Sequence, residues 1–266
     1  MLPEVDEALA KLNLATGYYS FEYWLDGVYP DKTRYYVKPA FHIVVLEPLT
    51  RVNAIIPYEP YELDEEIITF IEKWGYKEAN GSKLVIAGKA DKALLNETKF
   101  GKTILFINPL NHDLQGELPD SIEFNADFYM LGHYHYLRKG IMTEGLPETG
   151  IMGGIYAEVL PQIKLKFDRN ILTGAKELCG IISNNFKVKN ESNLTPEEIA
   201  KGAPMGYDIV VFKDEAEIDV NAGILSIPYN DGRVIYNMLK LTKNINKAPI
   251  AERMLYNLLK YSWSST

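Results

Sequence analysis

Leu63-Asp-Glu-Glu-Ile-Ile-Thr-Phe-Ile-Glu-Lys-Trp74, followed by Lys83-Leu-Val-Ile-Ala87 and then Thr103-Ile-Leu-Phe-Ile-Asn108, is the stretch that decides the fold class. In the first segment Leu63, Ile67, Phe70, Ile71 and Trp74 recur at helical spacing, which predicts an amphipathic helix with one apolar face. Asp64, Glu65 and Glu66 sit at its start, where acidic groups favour the free N–H groups and the macrodipole. Gly75 or Gly81 ends it. The second and third segments are short continuous apolar runs, the pattern of strands buried on both faces. Between them, residues 91–97 read as a short helix closed near Gly101. Strands separated by helices of this length predict βαβ units and a parallel sheet.

Working outward, residues 43–46 (Ile-Val-Val-Leu) and 52–57 are strand candidates upstream. Downstream, residues 109–206 are rich in Gly, Pro and Asn and less regular. Thr195-Pro-Glu-Glu is a helix entry with Pro at its first position. Residues 207–212 read as a strand. Residues 222–228 and 233–241 flank Asn230-Asp231-Gly232, a hairpin turn signal. The last element is a helix with Pro249 in its first turn and an apolar stripe of Ile250, Met254, Leu255, Leu258 and Leu259. The first 40 residues differ from all of this. A short helix is expected over residues 4–14, and then Tyr18, Tyr19, Phe21, Tyr23, Trp24, Tyr29, Tyr35 and Tyr36 crowd a short span. Aromatics at this density either stack on sugar rings or bases, or pack against the core or a neighbouring domain.

Composition sets the outer bounds. The chain has 266 residues, 47% hydrophobic and 24% charged, with net charge −8, so a core can form without staples and nucleic acid is not the default partner. A lone cysteine, Cys179, excludes an internal disulfide framework and any multi-cysteine metal site. No apolar run reaches the ~20 residues that a membrane helix needs. The acidic start has no secretory pattern. The expectation is a cytoplasmic protein, or an excised domain of an exported one.

Two stretches carry a family resemblance. Gly223-Ile-Leu-Ser-Ile-Pro-Tyr-Asn-Asp-Gly-Arg-Val-Ile-Tyr236, with Ala248-Pro-Ile-Ala-Glu-Arg-Met-Leu-Tyr-Asn-Leu-Leu-Lys-Tyr261, resembles the end of class I glutamine amidotransferase-like domains attached to glycoside hydrolases, the β-galactosidase trimerisation and ThuA-like type. Gly145-Leu-Pro147 through Tyr156-Ala-Glu-Val-Leu-Pro161 resembles a further segment of those domains, as does the helix leading into residues 83–87. The resemblance covers residues 43–261 in order of elements, and residues 1–42 lie outside it. It implies a flavodoxin-like three-layer α/β/α sandwich with a mostly parallel sheet and a C-terminal hairpin plus helix. Catalytic members carry the pattern G-x-C-x-G with a later His and Glu. Here Cys179 lies in Lys176-Glu-Leu-Cys-Gly180, late in the chain, and no histidine follows His135. A thiol needs a nearby base to act as a nucleophile, so Cys179 reads as a small buried hydrophobe.

A second resemblance concerns Asn111-His112-Asp113 and Gly132-His133-Tyr134-His135, which are similar to two blocks of calcineurin-like metallophosphatases. With Asp127 they make a candidate metal set of His112, Asp127, His133 and His135, since an H-x-H pair on a strand puts both rings on one face. The early D-x-H and G-D-x-x-D blocks are missing, and hydrogen-bonded imidazoles in a tyrosine-rich segment explain the same residues. The carboxylate pairs Glu65/Glu66 and Glu197/Glu198 read as helix-start residues. Asp214, Glu215, Glu217 and Asp219 read as a solvated turn.

The expectation is therefore an aromatic extension over residues 1–42 and an amidotransferase-like α/β domain over residues 43–266. The function expected is non-catalytic: assembly or sugar contact beside carbohydrate-active enzymes. The alternative is a metal-dependent, phosphoesterase-like hydrolase. Tyr23, Trp24, Tyr129, Tyr134 and Tyr136 are the candidate ligand-binding residues. The expected partners are a carbohydrate and a glycoside hydrolase domain or a second copy, with no cofactor, nucleic acid or membrane. The loop after Asn108 and the segment 133–136 are expected beyond the carboxyl ends of the strands, where open α/β sheets gather ligands.

Overall fold

A computed structural model describes residues 14–22, 25–28, 34–37, 40–109, 119, 121–125, 133–147, 151–161, 163–190, 195–201, 203–204 and 209–264. The expected helix over 4–14 lies almost wholly outside them. The chain is a mixed α/β protein. Strands β1 (Gly17–Glu22), β2 (Leu25–Val28), β3 (Arg34–Val37) and β4 (Ala40–Val45) come first. Next come β5 (Ile56–Tyr61), helix α1 (Glu65–Lys73), β6 (Tyr76–Glu78), β7 (Leu84–Ala87), a 3-10 helix (Lys92–Phe100) and β8 (Thr103–Phe106). After β9 (Ile122–Asn125), β10 (His133–Leu137) and β11 (Lys164–Phe167), a long strand β12 (Lys176–Asn190) leads to α2 (Pro196–Lys201) and β13 (Ala203–Pro204). The chain closes with β14 (Ile209–Tyr229), β15 (Gly232–Asn237) and α3 (Pro249–Ser264).

One large sheet runs in the order β10-β12-β14-β15-β8-β7-β5-β6, with β11 and β13 also on β14 and β9 on β11. Strands β15, β8, β7, β5 and β6 are mutually parallel. From β14 to β10 every pairing is antiparallel. The expectation of a mostly parallel sheet thus describes one part of it. The antiparallel part arises because β12 and β14 are the arms of a long hairpin, and a hairpin needs no crossover helix.

Apolar runs in β7 and β8 are buried along their whole length, as expected for strands covered on both sides. Leu84, Ile86, Leu105 and Ile235 join α1 and α3 in one core cluster, with Ile67, Phe70 and Ile71 from α1 and Met254, Leu255, Leu258 and Leu259 from α3. Trp74 bridges the two helices, edge-on to Phe70 and to Tyr256. The alternate residues, Val85, Ile104, Phe106, Val234 and Tyr236, face a second cluster. That side is covered by Leu95 of the 3-10 helix and by Ile122, Leu165 and Phe167 of the β9–β11 pair. Among the described residues the second face therefore carries a 3-10 helix and a strand pair where an α/β/α sandwich would carry α-helices.

Local signals explain several boundaries. Asp91 caps the 3-10 helix by accepting from the Ala93 N–H at 2.7 Å, and Gly101 closes it. The 230–231 turn joins β14 to β15, with Asn230 at φ 49° and its amide donating to Thr98 Oγ1 at 2.8 Å. β15 stops at Asn237 rather than at 241, because the buried Asn237 side chain takes over the hydrogen bonding. It donates to Ile107 O and Leu239 O and accepts from the Leu239 N–H. β5 spans 56–61 rather than 52–57. It carries two prolines without N–H donors, and β6 pairs with its first half while β7 pairs with its second. The acidic stretch from Asp214 to Asp219 is not a turn. It lies within β14, where Glu217 and Asp219 pair with Asn185 and Ser183 of β12 and the register shifts across residues 213–216.

The described part of the aromatic N-terminal segment is a ribbon of two strand pairs, β1 with β4 and β2 with β3. Pairing runs in one register from Gly17↔Val45 to Glu22↔Ala40 and on from Leu25↔Val37 to Val28↔Arg34. β4 therefore crosses the boundary at 42/43. The ribbon leads into a strap, residues 46–50, tied to the body. The Glu47 N–H donates to Gly145 O, Arg253 donates to Glu47 O, and the Tyr256 hydroxyl donates to Thr50 O at 2.8 Å. Gly145 has φ +66°, and a Cβ there would meet the Arg253 guanidinium. No helix among the described residues is long and apolar enough to cross a membrane.

Candidate functional site

Of the residues proposed from sequence, Tyr23, Trp24, His112, Asp127 and Tyr129 lie outside the described residues. His133, Tyr134, His135 and Tyr136 all lie on β10. β10 pairs with β12 on the antiparallel side of the sheet, so it does not lie beyond the carboxyl ends of the parallel strands as expected. It sits there because β12 is long enough to template another antiparallel strand, not because any crossover carries it. Alternation puts Tyr134 and Tyr136 on one face of β10 and His135 on the other. His135 is half-buried, and its carbonyl accepts from the Met152 N–H at 2.8 Å.

The tyrosine face builds a charged corner that sequence reading did not show. Tyr136 stands opposite Gly180 in register, and a Cβ at 180 would clash with the hydroxyl end of the Tyr136 ring, 2.1 Å from Cζ. The glycine thus lets the ring lie flat across β12 and deliver its hydroxyl to Glu177 Oε1 at 3.1 Å. Glu177 is a buried carboxylate, its side chain 5% exposed. Arg138, just past β10, donates its backbone N–H to Leu178 O at 2.9 Å, Nε to Glu177 O at 3.0 Å, and Nη2 to Glu177 Oε1. Arg169 Nη2 lies 3.1 Å from the same Oε1, and its guanidinium stands over the Phe167 ring. The turn holding Arg169 is pinned by Asp168, whose Oδ1 accepts from the Asn170 N–H at 2.8 Å. Burial pushes the Glu177 carboxyl up, but its backbone hydrogen bond and the two guanidiniums outweigh that and hold it below its ordinary value. Burial and the Glu177 charge push the Tyr136 phenol up. Both arginine side chains remain about half exposed, 48% for Arg138 and 54% for Arg169. Tyr134, one step along the same face, is 61% exposed. It continues across the sheet in register to Ile182 and Val220.

Elsewhere among the described residues, several groups with chemical potential are engaged structurally. Cys179 is fully buried in β12 opposite Leu137, with Sγ 3.5 Å from Met152 Sδ, and burial pushes its thiol up to about 12. At the carboxyl ends of the parallel strands, the Tyr61 hydroxyl donates to Asp91 and Asn108 donates to Gly88 O. The Asp91 hydrogen bond is the main cause that pushes the Tyr61 phenol up to about 12. Glu65 and Glu66 occupy the first turn of α1, and Glu66 accepts from the Asn246 amide at 3.0 Å. Among the described residues no group of three His, Cys, Asp or Glu is placed to hold a metal.

The missed partners could be read from sequence only as scattered charges. Arg138, Arg169 and Glu177 come from three separate segments, and only pairing of β10 and β12 and the turn after β11 bring them together. No family profile and no curated protein matches the chain. A cytoplasmic protein from Salmonella typhimurium is a slight structural neighbour, with a TM-score of 0.27 and 12% identity over 92% of this chain and 95% of that one, too low a likeness to carry fold or function across.

Proposed function

We propose that this chain is a non-catalytic domain of the glutamine amidotransferase-like type, flavodoxin-like in its parallel part, serving sugar contact or assembly beside a carbohydrate-active enzyme in the cytoplasm. The order β6-β5-β7-β8-β15 supports the flavodoxin-like reading, since it is the 2-1-3-4-5 order of doubly wound sheets. The observation that carries the functional reading is the contrast between Cys179 and Tyr134. The one thiol that could serve amidotransferase chemistry is sealed mid-strand with its proton held on, whereas an aromatic ring beside anchored polar groups is presented to solvent. The strand pairs β1–β4 and β2–β3 support an assembly role, because a two-stranded pair is marginal in water by itself and gains from a neighbour.

The test is thermal unfolding of the purified chain against neutral and charged saccharides, with size-exclusion light scattering on the same sample. A ligand that binds the native state raises the melting temperature by mass action. A saccharide-dependent rise supports sugar contact, and a concentration-dependent oligomer supports assembly. A monomer unmoved by every saccharide overturns both. The alternative reading is a metal-dependent, phosphoesterase-like hydrolase using His112, Asp127, His133 and His135. It requires stoichiometric metal and a phosphoesterase activity that a chelator abolishes.

A further inference from the structure

We infer that the β10–β12 corner binds the carboxylate of an acidic sugar, with Arg138 and Arg169 holding the anion and Tyr134 presenting a face for the ring. The inference rests on the sugar-contact reading and narrows it to a charged ligand class. It is carried by the unequal charge of the corner. Two guanidiniums converge on one buried carboxylate oxygen, so the cluster holds one positive charge beyond what Glu177 neutralises. Each guanidinium has five N–H donors. Toward Glu177, Arg138 uses Nε and Nη2 and Arg169 uses Nη2. Both side chains are about half exposed, and Glu177 leaves N–H donors on each of them untaken.

Those donors are pre-organised. Glu177 fixes both guanidiniums from below, the Phe167 ring supports Arg169, and the backbone of β12 fixes Arg138. A ligand that meets held donors does not bear the ordering cost that free arginines would impose. A guanidinium fork matches the two oxygens of a carboxylate. The single excess charge matches a carboxylate better than a phosphate monoester, which carries roughly −1.5 to −2 at neutral pH. Tyr134 and Tyr136 share the face that leads into Arg138, because the residues alternate along β10. Tyr136 is held against Glu177, so Tyr134 is the ring left open for a sugar face.

The experiment is isothermal titration of the full chain with methyl β-D-glucuronide, methyl β-D-glucoside and glucose 6-phosphate. It is repeated for Arg169→Gln and Tyr134→Ala. Each variant is first checked for native unfolding behaviour. Arg169→Gln leaves Glu177 paired with Arg138 and Tyr136, and Tyr134 is exposed, so both should fold. The expected result is binding of the glucuronide at least tenfold tighter than of the glucoside, lost by ~10-fold or more in Arg169→Gln and weakened in Tyr134→Ala. Equal binding of glucuronide and glucoside overturns this inference and leaves the sugar-contact reading standing. Tighter binding of the phosphate replaces the carboxylate assignment. Binding of none of the three overturns the inference and counts against the parent reading as well.

Discussion

At the scale of single residues, burial decides which groups can do chemistry. Cys179 is fully buried and its thiol is pushed up, so a thiol reagent should leave the native protein unlabelled and react stoichiometrically once urea unfolds it. Rapid labelling of the native state, followed by mass spectrometry, would show the opposite. Gly180 works by having no side chain. Gly180→Ala should cost ~1–3 kcal/mol by forcing Tyr136 off β12. The same change in a Tyr136→Ala background should cost much less, and denaturant unfolding of the four proteins reads this coupling. Glu177 sets a pH dependence. Its carboxyl is held below the ordinary 4.5, so its ion pairs stabilise the fold fully above that value. They are lost as pH falls through the lower folded value. Wild-type protein should therefore lose more stability between pH 7 and pH 3 than Glu177→Gln, in urea titrations at each pH.

At the scale of elements, the parallel strands are terminated by side chains that replace the next rung of the ladder. Asn237 is the clearest case, because it satisfies two carbonyls and one N–H where β15 stops. Asn237→Ala would leave buried backbone groups unpaired at the end of β8 and β15. The expected cost is ~1–3 kcal/mol, measured as a shift in the urea midpoint at constant slope. Element-level signals read well where they were local. The helix at 65–73, the buried strands β7 and β8, the hairpin turn at 230–231 and the terminal helix all follow from spacing and turn residues. They fail where pairing is long-range. β12 and β14 hold Asn, Lys and acidic residues that suit a loop, and they are strands because each supplies the other's hydrogen bonds.

At the scale of the whole molecule, the body and the N-terminal ribbon are built on different terms. Among the described residues, the two core clusters draw their buried residues from Ile56 onward, with Leu46 packed at the margin. Strands β1 to β4 make two-stranded pairings, β1 with β4 and β2 with β3. A chain starting at Leu46 should keep the far-ultraviolet circular dichroism of the α/β body and unfold cooperatively. Loss of cooperative unfolding would show that the ribbon belongs to the core. Retention of the strap, through Arg253 to Glu47 and Tyr256 to Thr50, is part of that expectation.

What the amino-acid order determined by itself is the α/β class, the parallel βαβ start, the closing hairpin and helix, and the burial of Cys179. Each follows from periodicity, turn chemistry or the absence of a base within a short span of chain. Only the tertiary structure decided that a long antiparallel hairpin extends the parallel sheet, that a strand pair covers part of its second face, and that Tyr136, Arg138, Arg169 and Glu177 meet at one corner. The physical reason is the same in each case. Strand pairing and charge convergence depend on contacts between segments tens of residues apart, and no local preference encodes which segments will meet.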